Sequence, residues 1–148
     1  MTQEKLKQFL DACFDAKRLI EKLPDLPDGM KPRQVHVLDA VNEIQKKQGF
    51  CRVSDISSYM NTTLPTITKL VQELEERNLL VKQADEKDKR VINLTLTEEG
   101  KEFVELRVTH FHGEWASRLL DLDDAVVDEF VHAITRMQET MPGIKGVK

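Results

Sequence analysis

The sequence has no long apolar run, few aromatic residues and only two cysteines. No apolar stretch approaches the roughly 20 residues that a membrane-spanning helix needs. Aromatic residues make up 5% of the chain and charged residues 32%, which favours a helix-rich protein over a β-sandwich. Cys13 and Cys51 have no ligand-like spacing, which indicates a reducing compartment. The charged N-terminus MTQEKLKQFL is not a secretory signal, so we expect a cytoplasmic protein with no membrane partner.

Charge is distributed unevenly along the 148 residues, whose formal net charge is −4. Residues 97–141 carry four basic and eleven acidic side chains, whereas residues 62–90 carry six of each. An acidic chain of this kind is not a general nucleic-acid coat. Any DNA-binding face must therefore lie in the first two thirds of the chain. The whole chain is long enough for one compact domain.

Helical periodicity begins close to the N-terminus. Apolar residues predict a first helix near residues 3–22, which stops in the proline-rich loop LPDLPDGMKP. Cys13 lies on its apolar stripe and is interpreted as a small core residue. A second helix follows the loop, and Gly49 ends it. Its apolar face consists of Val37, Leu38, Val41 and Ile44.

Two further helices joined by a short turn match the helix-turn-helix pattern. Ser54 is the expected N-cap of the first, near residues 54–60, and residues 61–62 form the turn. Thr63 is the expected cap of the second, which runs to about Asn78. Pro65 lies in its first turn, where a missing N–H is tolerated. The apolar face at i, i+3, i+4 and i+7 is Ile67, Leu70, Val71 and Leu74.

The segment DEKDKRVINLTLT joins a run of six charged residues to an alternating apolar pattern. Leu79–Val81 and Val91–Leu96 are predicted to be two strands, with the charged run 85–90 as the hairpin tip between them. Ile92, Leu94 and Leu96 are expected on one side of the second strand. A two-stranded hairpin is marginal alone and must pack against neighbouring helices.

Two helices complete the chain. Thr97 is the expected cap of a long helix that continues to about Leu120. The last helix starts at Asp123, with Leu122 and Val127 as a hydrophobic staple, and ends at Pro142-Gly143. Its apolar face is Val127, Phe130, Val131, Ile134 and Met137.

The predicted fold class is therefore mainly α with a small β-hairpin. A winged helix-turn-helix DNA-binding domain (31–100) is flanked by N- and C-terminal dimerisation helices (1–30 and 101–141), with a tail at 142–148. The apolar stripes of the first, fifth and sixth helices could pack into a larger monomeric core. We favour pairing with a second copy, since helix-turn-helix proteins usually read two half-sites.

The wing resembles a known family signature. Asp88-x-Arg90-x-x-x-Leu94-x-Leu96-Thr97-x-x-Gly100 is similar to the D-x-R-x-x-x-L-x-L-T-x-x-G of MarR-type transcriptional regulators. The helix-turn-helix aligns with the same family from Val53 to Val81 without a gap. The resemblance implies that the helix at 63–78 enters the major groove and that Arg90 reaches the adjacent minor groove. Asp88 would support the base of the wing.

Candidate DNA-binding residues follow from this alignment. They are Thr63, Leu64, Pro65, Thr66, Thr68, Lys69, Lys87, Lys89 and Arg90. The alternative for the charged tip is an ordinary solvated turn. Relatives often carry arginine or other long polar side chains where this chain has Leu64 and Pro65. Recognition is therefore expected to depend on the wing and on DNA shape. Three glutamates further along the helix would repel phosphates if they faced them: Glu73, Glu75 and Glu76.

An effector cleft is also implied by the family resemblance. Its candidate lining residues are Arg18, His36, His110, Phe111 and Trp115, each of which could instead be an ordinary surface or packing residue. A thiol-sensing branch of the family uses a first-helix cysteine, but its surrounding tyrosines are missing around Cys13. Cys51, which precedes the helix-turn-helix, is expected to be an inert thiol like Cys13. His110 and Glu114 have the spacing of zinc ligands, but we expect no metal and no cofactor.

The leading hypothesis is a homodimeric DNA-binding transcriptional regulator, a repressor, that binds a pseudo-palindromic operator in double-stranded DNA. A small ligand of unknown identity would modulate it. The alternative is a winged-helix protein–protein interaction module with weak or no specific DNA binding. An enzyme is rejected, because the sequence has no nucleophile–base pair, phosphate loop or paired-carboxylate motif with recognisable spacing.

Overall fold

The computed structural model describes residues 1–23 and 26–143, so Pro24 of the predicted loop and most of the predicted tail lie outside it. The helices are α1 (Gln3–Ile20), α2 (Pro32–Gln48), α3 (Val53–Met60), α4 (Leu64–Glu76), α5 (Glu98–Val104), α6 (Phe111–Ser117) and α7 (Asp124–Thr140). The strands are β1 (Leu80–Ala84) and β2 (Ile92–Leu96). The predicted class, mainly α with a small hairpin, is confirmed. The chain forms two compact units, Met1–His110 and a second that begins at Phe111.

The core of the first unit is built from one face of each helix in the helix-turn-helix. The fully buried side chains include Val35, Val37, Leu38, Val41, Ile56, Ile67, Val71, Leu74 and Leu94. Their spacing of three and four residues brings them onto one side of α2 and α4. Burying one such side chain contributes about 1.5–3 kcal/mol. This packing fixes α4 by its apolar face and leaves its other face available.

The helix-turn-helix begins earlier and ends earlier than its pattern predicts. Ser54 is not the N-cap of α3, because Asp55 accepts the Arg52 N–H at 2.9 Å and the helix starts at Val53. The predicted turn is confirmed at Asn61, whose φ of 49° is left-handed. Helix α4 ends at Glu76, and left-handed Asn78, with φ 58°, lies beyond its C-cap. Asparagine tolerates this conformation better than most residues, which explains the early stop.

The hairpin is antiparallel, and Leu80 pairs with Leu96 at one end and Ala84 with Ile92 at the other. Strand β1 extends three residues past the predicted Val81, since its outer half is exposed and carries no apolar signal. The alternation in β2 holds for Leu94 and Leu96, which are buried, whereas Ile92 is 40% exposed near the tip. The Leu94 N–H donates to the Cys51 carbonyl at 2.7 Å, which anchors the wing to the α2–α3 connection.

The predicted long helix is interrupted. Thr97 is its N-cap, as predicted, and its hydroxyl accepts the Gly100 N–H at 2.9 Å. A π-helical segment, Glu105–His110, follows α5, and α6 ends at Ser117 rather than near Leu120. The cap of α7 is confirmed, because the Asp123 carboxylate accepts the Ala125 N–H at 3.0 Å.

Helices α1 and α7 present apolar side chains to the surface. No residue of either helix is buried, and both lie wholly within the described ranges. Phe14 on α1 is 66% exposed, and Phe130 on α7 is 43% exposed. The interpretation of Cys13 as a core residue is wrong for the single chain, because its helix buries nothing and the thiol is only half-buried. None of the described helices combines the length and apolar character that crossing a membrane requires.

Candidate nucleic-acid interface

The first two turns of α4 carry most of the predicted recognition residues. Leu64 is 51% exposed, and Thr63, Pro65, Thr68 and Lys69 are also exposed. Thr66 is half-buried, and its hydroxyl lies 2.9 Å from that of Thr63. These positions project away from the face that holds Ile67 and Leu70, so core packing determines which side chains remain outside.

Two of the three glutamates in α4 are paired with groups on the scaffold. The Gln34 amide donates to Glu73 Oε2 at 2.8 Å, and Lys82 Nζ lies 2.8 Å from Glu75 Oε2. Gln34 is itself buried, and its side-chain oxygen accepts the Lys31 N–H at 2.8 Å. Lys82 offsets the charge of Glu75, so the expected repulsion of phosphates by that carboxylate is reduced, whereas Glu73 keeps its charge. Glu76 remains exposed.

The wing tip is a closed loop between the two strands. The Asp85 N–H donates to the Val91 carbonyl at 2.8 Å, and the Val91 N–H donates to the Asp88 carbonyl at 2.9 Å. The side chains of Lys87 and Lys89 are exposed in this loop. The tip is thus an ordered turn that displays basic side chains.

Arg90 is held at the tip by a two-pronged ion pair. Its side chain is 91% exposed, yet Nε lies 3.1 Å from Asp88 Oδ1 and Nη2 lies 3.1 Å from Asp88 Oδ2. The Arg90 backbone N–H also donates to Asp88 Oδ1, at 3.1 Å. Paired N–H donors of this kind restrict the orientation of the guanidinium. Asp88 therefore restrains the orientation of the Arg90 guanidinium, while most of the Arg90 side chain remains in solvent.

The ion pair also affects protonation. The hydrogen bonds from the Arg90 side chain, and then from its backbone N–H, lower the pKa of Asp88. Asp88 in turn raises the pKa of Arg90. The carboxylate is the form that binds the guanidinium, so the pair persists above the lowered pKa and is lost as the pH falls through it.

Substituting Arg90→Ala is expected to raise the pKa of Asp88 towards its ordinary value, because the largest cause of the lowering is removed. The side-chain ¹³C shift of Asp88, followed by NMR from pH 2 to 6, measures this change. Asp85 is the internal control, since backbone N–H groups of Lys87 and Asp88 are the main causes of its lowered pKa. An unchanged Asp88 titration in the variant would show that the pair does not form in solution.

Arg52 was not among the predicted site residues. Its guanidinium lies 4.9 Å above the centre of the Phe50 ring, and its charge contributes to the lowered pKa values of Asp85 and Asp88. It follows Cys51, whose carbonyl pairs with the wing strand. More than thirty residues separate it from the tip in sequence, and spacing alone carried no signal of this proximity.

Four of the five predicted effector residues make contacts within their own unit. Arg18 is paired with Asp15 on α1. His36 Nε2 lies 3.2 Å from the Ile20 carbonyl at the end of α1. His110 is exposed, and in the second unit the rings of Phe111 and Trp115 are in tilted contact with centres 5.8 Å apart. These contacts do not test the predicted cleft, which stays a prediction.

Cys51 is a buried free thiol. Burial raises the pKa of the Cys51 thiol to about 12, and nearby Asp55 adds to the effect. The thiol is therefore protonated at neutral pH, which makes it a poor nucleophile. Within the described ranges, no group of three or more His, Cys, Asp or Glu side chains is arranged to hold a metal ion.

Comparison with known proteins is consistent with this geometry. A sequence model of the MarR family matches residues 28–91, which include α2, the helix-turn-helix, β1 and the wing tip. The HTH-type transcriptional repressor MdtR of Bacillus subtilis is 38% identical over 72 residues. The chain has a winged helix-turn-helix fold, and its residues 28–91 are similar in sequence to the MarR family. The alignment spans 49% of this chain and 44% of MdtR.

Solved structures extend the likeness to nearly the whole chain. FabT of Streptococcus pneumoniae, solved in complex with DNA, superposes with a TM-score of 0.69 at 20% identity and covers 93% of this chain and 96% of FabT. BpsR of Bordetella bronchiseptica, in a study of how 6-hydroxynicotinic acid regulates its DNA binding, gives a TM-score of 0.64 at 22% identity, over 95% of this chain and 94% of BpsR. At these identities the likeness establishes the winged helix-turn-helix fold alone.

Proposed function

We propose that the protein is a homodimeric DNA-binding transcriptional regulator, acting as a repressor on a pseudo-palindromic operator and modulated by a small ligand. The observation that carries the proposal is the bidentate Asp88–Arg90 pair, which presents an exposed guanidinium at the wing tip beside a recognition-type helix. MdtR is named as a transcriptional repressor and FabT was solved bound to DNA, which supports the same activity here. Binding to chromosomal DNA would place the protein in the cytoplasm.

In the proposed complex, α4 enters the major groove. Thr68 offers a hydroxyl to base edges or phosphates, Lys69 offers a cation to a phosphate, and Leu64 offers apolar contact to thymine methyl groups. Arg90 follows the negative potential of a narrow minor groove. Because α4 contributes one lysine and no arginine, the wing and the shape of the DNA supply much of the specificity. An enzymatic activity is not proposed.

The exposed faces of α1 and α7 support a dimer. Apolar side chains recur along each helix without being buried, among them Leu10, Phe14, Phe130 and Val131. Contiguous apolar surface of this kind is costly in water and marks an interaction site. A second copy is the occupant that fits the function, since a two-fold dimer places two wings and two recognition helices on related half-sites.

Substituting Phe14→Asp is expected to weaken self-association by at least tenfold, because a charge is placed on the apolar face of α1. Sedimentation equilibrium over a range of protein concentrations measures the dissociation constant. The matched control is Gln8→Asp, which adds the same charge to the same helix at an exposed polar position. Equal dissociation constants for the two variants would contradict a dimer built on this face.

Ligand modulation rests on the predicted cleft residues and on a relative. The BpsR study names 6-hydroxynicotinic acid as a regulator of DNA binding, which supports a small anionic aromatic effector for this protein. The candidate effector residues remain those predicted from the sequence: Arg18, His36, His110, Phe111 and Trp115. A ligand releases DNA only if it binds better to the form whose recognition helices are wrongly spaced.

The competing proposal is a protein–protein interaction module. The exposed Leu64 at the start of α4 is the observation that favours it. Titration of labelled duplex DNA, taken from upstream of the protein's own gene, separates the two proposals when followed by fluorescence anisotropy. A scrambled duplex of the same composition serves as the competitor.

A further inference from the structure

Asp85 lies outside the family signature, yet it makes several contacts within the wing. Its Oδ1 accepts the Lys87 N–H at 2.8 Å and the Asp88 N–H at 3.2 Å, and its Oδ2 receives the Asn93 amide at 3.4 Å. Aspartate commonly closes turns by accepting backbone N–H groups two or three residues ahead. These contacts connect β2 to the backbone of the tip through one carboxylate.

The contacts of Asp85 lead to Arg90 through Asp88. The Asp88 N–H is fixed by Asp85, and the Asp88 carboxylate then holds the Arg90 guanidinium through both of its oxygens. A free turn would allow the Asp88 backbone, and with it the ion pair, many orientations. The Asp85 contacts therefore limit where the Arg90 charge is presented.

The charge of Asp85 acts in the opposite direction. A carboxylate in the wing lies among residues that would approach phosphates, where a negative charge lowers DNA affinity. Glu86 is its exposed neighbour and carries the same charge. If Asp85 were simply a solvated charge, removing it would strengthen binding, as removing Glu86 would. Removing Asp85 should therefore lower DNA affinity if it positions the tip, and raise DNA affinity if it is only a solvated charge.

We propose that Asp85 is a positioning residue for DNA recognition, which holds the wing tip in the conformation that presents Arg90 to the minor groove. The proposal rests on the DNA-binding function proposed above. What matters is the acceptor oxygen of Asp85 and not its charge. Asparagine at this position keeps an oxygen that accepts the same backbone N–H groups, whereas alanine removes it.

The experiment compares Asp85→Ala, Asp85→Asn and Glu86→Ala in the full chain. Affinity for the upstream duplex and for the scrambled duplex is measured by anisotropy at one salt concentration. Asp85→Ala is expected to bind the upstream duplex about fivefold to twentyfold more weakly than Glu86→Ala, because two turn hydrogen bonds are lost. Asp85→Asn is expected to match or exceed the wild type. All three variants remove one negative charge, so their affinities for scrambled duplex should rise together.

Three possible results would contradict the positioning role of Asp85 or the function on which it rests. Asp85→Ala binding as tightly as Glu86→Ala would overturn the positioning role, and so would Asp85→Asn binding as weakly as Asp85→Ala. Circular dichroism melting of each variant checks that the fold is intact, and rescue by asparagine excludes a merely destabilised chain. If the wild type itself fails to prefer the upstream duplex, the proposed function fails first and the role of Asp85 falls with it. If only the positioning role of Asp85 fails, the wild type still prefers the upstream duplex.

Discussion

Replacing Arg90 with alanine is expected to reduce affinity for the operator by about thirtyfold or more. Loss of one specific groove contact typically costs about 1–3 kcal/mol, and a dimer loses one contact in each wing. The effect should be large here because residues 62–90 carry as many acidic as basic side chains, so few other cations compensate. Anisotropy titrations of variant and wild type on the same duplex measure it.

The control is Lys101→Ala, which also removes one exposed positive charge but lies on α5 rather than in the wing. Its affinity for the operator should stay within about twofold of the wild type, since a charge outside the contact surface is screened by salt. Equal losses for both variants would assign the effect to net charge. No loss for Arg90→Ala would favour the protein-interaction module.

Replacing Gly100 with alanine is expected to destabilise the fold by about 1–3 kcal/mol or more. A Cβ at this position would lie 2.1 Å from the Leu79 carbonyl oxygen and 3.1 Å from its carbonyl carbon. That oxygen already accepts the Thr97 N–H at 3.2 Å, so the backbone is held there and cannot easily withdraw. The substitution would push α5 away from the start of β1, and urea denaturation measures the lost free energy of unfolding.

The matched control for this change is Gly113→Ala in α6. A Cβ there meets no atom of the described residues within 4 Å. Because alanine is the better helix former, this variant should be more stable by about 0.5–1 kcal/mol. Opposite signs for two identical substitutions would demonstrate that close backbone approach requires Gly100. A stable Gly100→Ala variant would contradict the packing of α5 on Leu79.

Much of the fold could be predicted because its signals are local. The apolar spacing of α4, the left-handed Gly49 that ends α2 and the cap at Thr97 each depend on a few neighbouring residues. The N-cap of α3 is Arg52 and not the predicted Ser54, because the Asp55 carboxylate accepts the Arg52 N–H and the helix begins one residue earlier. The π-helical segment left no pattern in the sequence.

The candidate site was less accessible to sequence reasoning, because its supporting contacts are distant along the chain. The charged run predicted an exposed tip, and Arg90 is exposed there. The pairing of Glu73 with Gln34 joins residues 39 positions apart, and no periodicity connects them. In the sequence, Asp85 is the first of six consecutive charged residues and carries no other signal. Its hydrogen bonds depend on the turn that it closes, and such geometry appears only in three dimensions.

One titration decides whether this chain binds a specific DNA site as a regulator. Wild-type protein is titrated into labelled upstream duplex and into the scrambled duplex, by anisotropy, at several salt concentrations. A specific regulator with this neutral helix–wing surface is expected to prefer the upstream duplex by at least about a hundredfold, which is below the usual range for specific regulators. The logarithm of the binding constant should also fall with the logarithm of the salt concentration, with the slope that several phosphate contacts give. Equal affinity for both duplexes, with a slope near zero, would contradict specific binding.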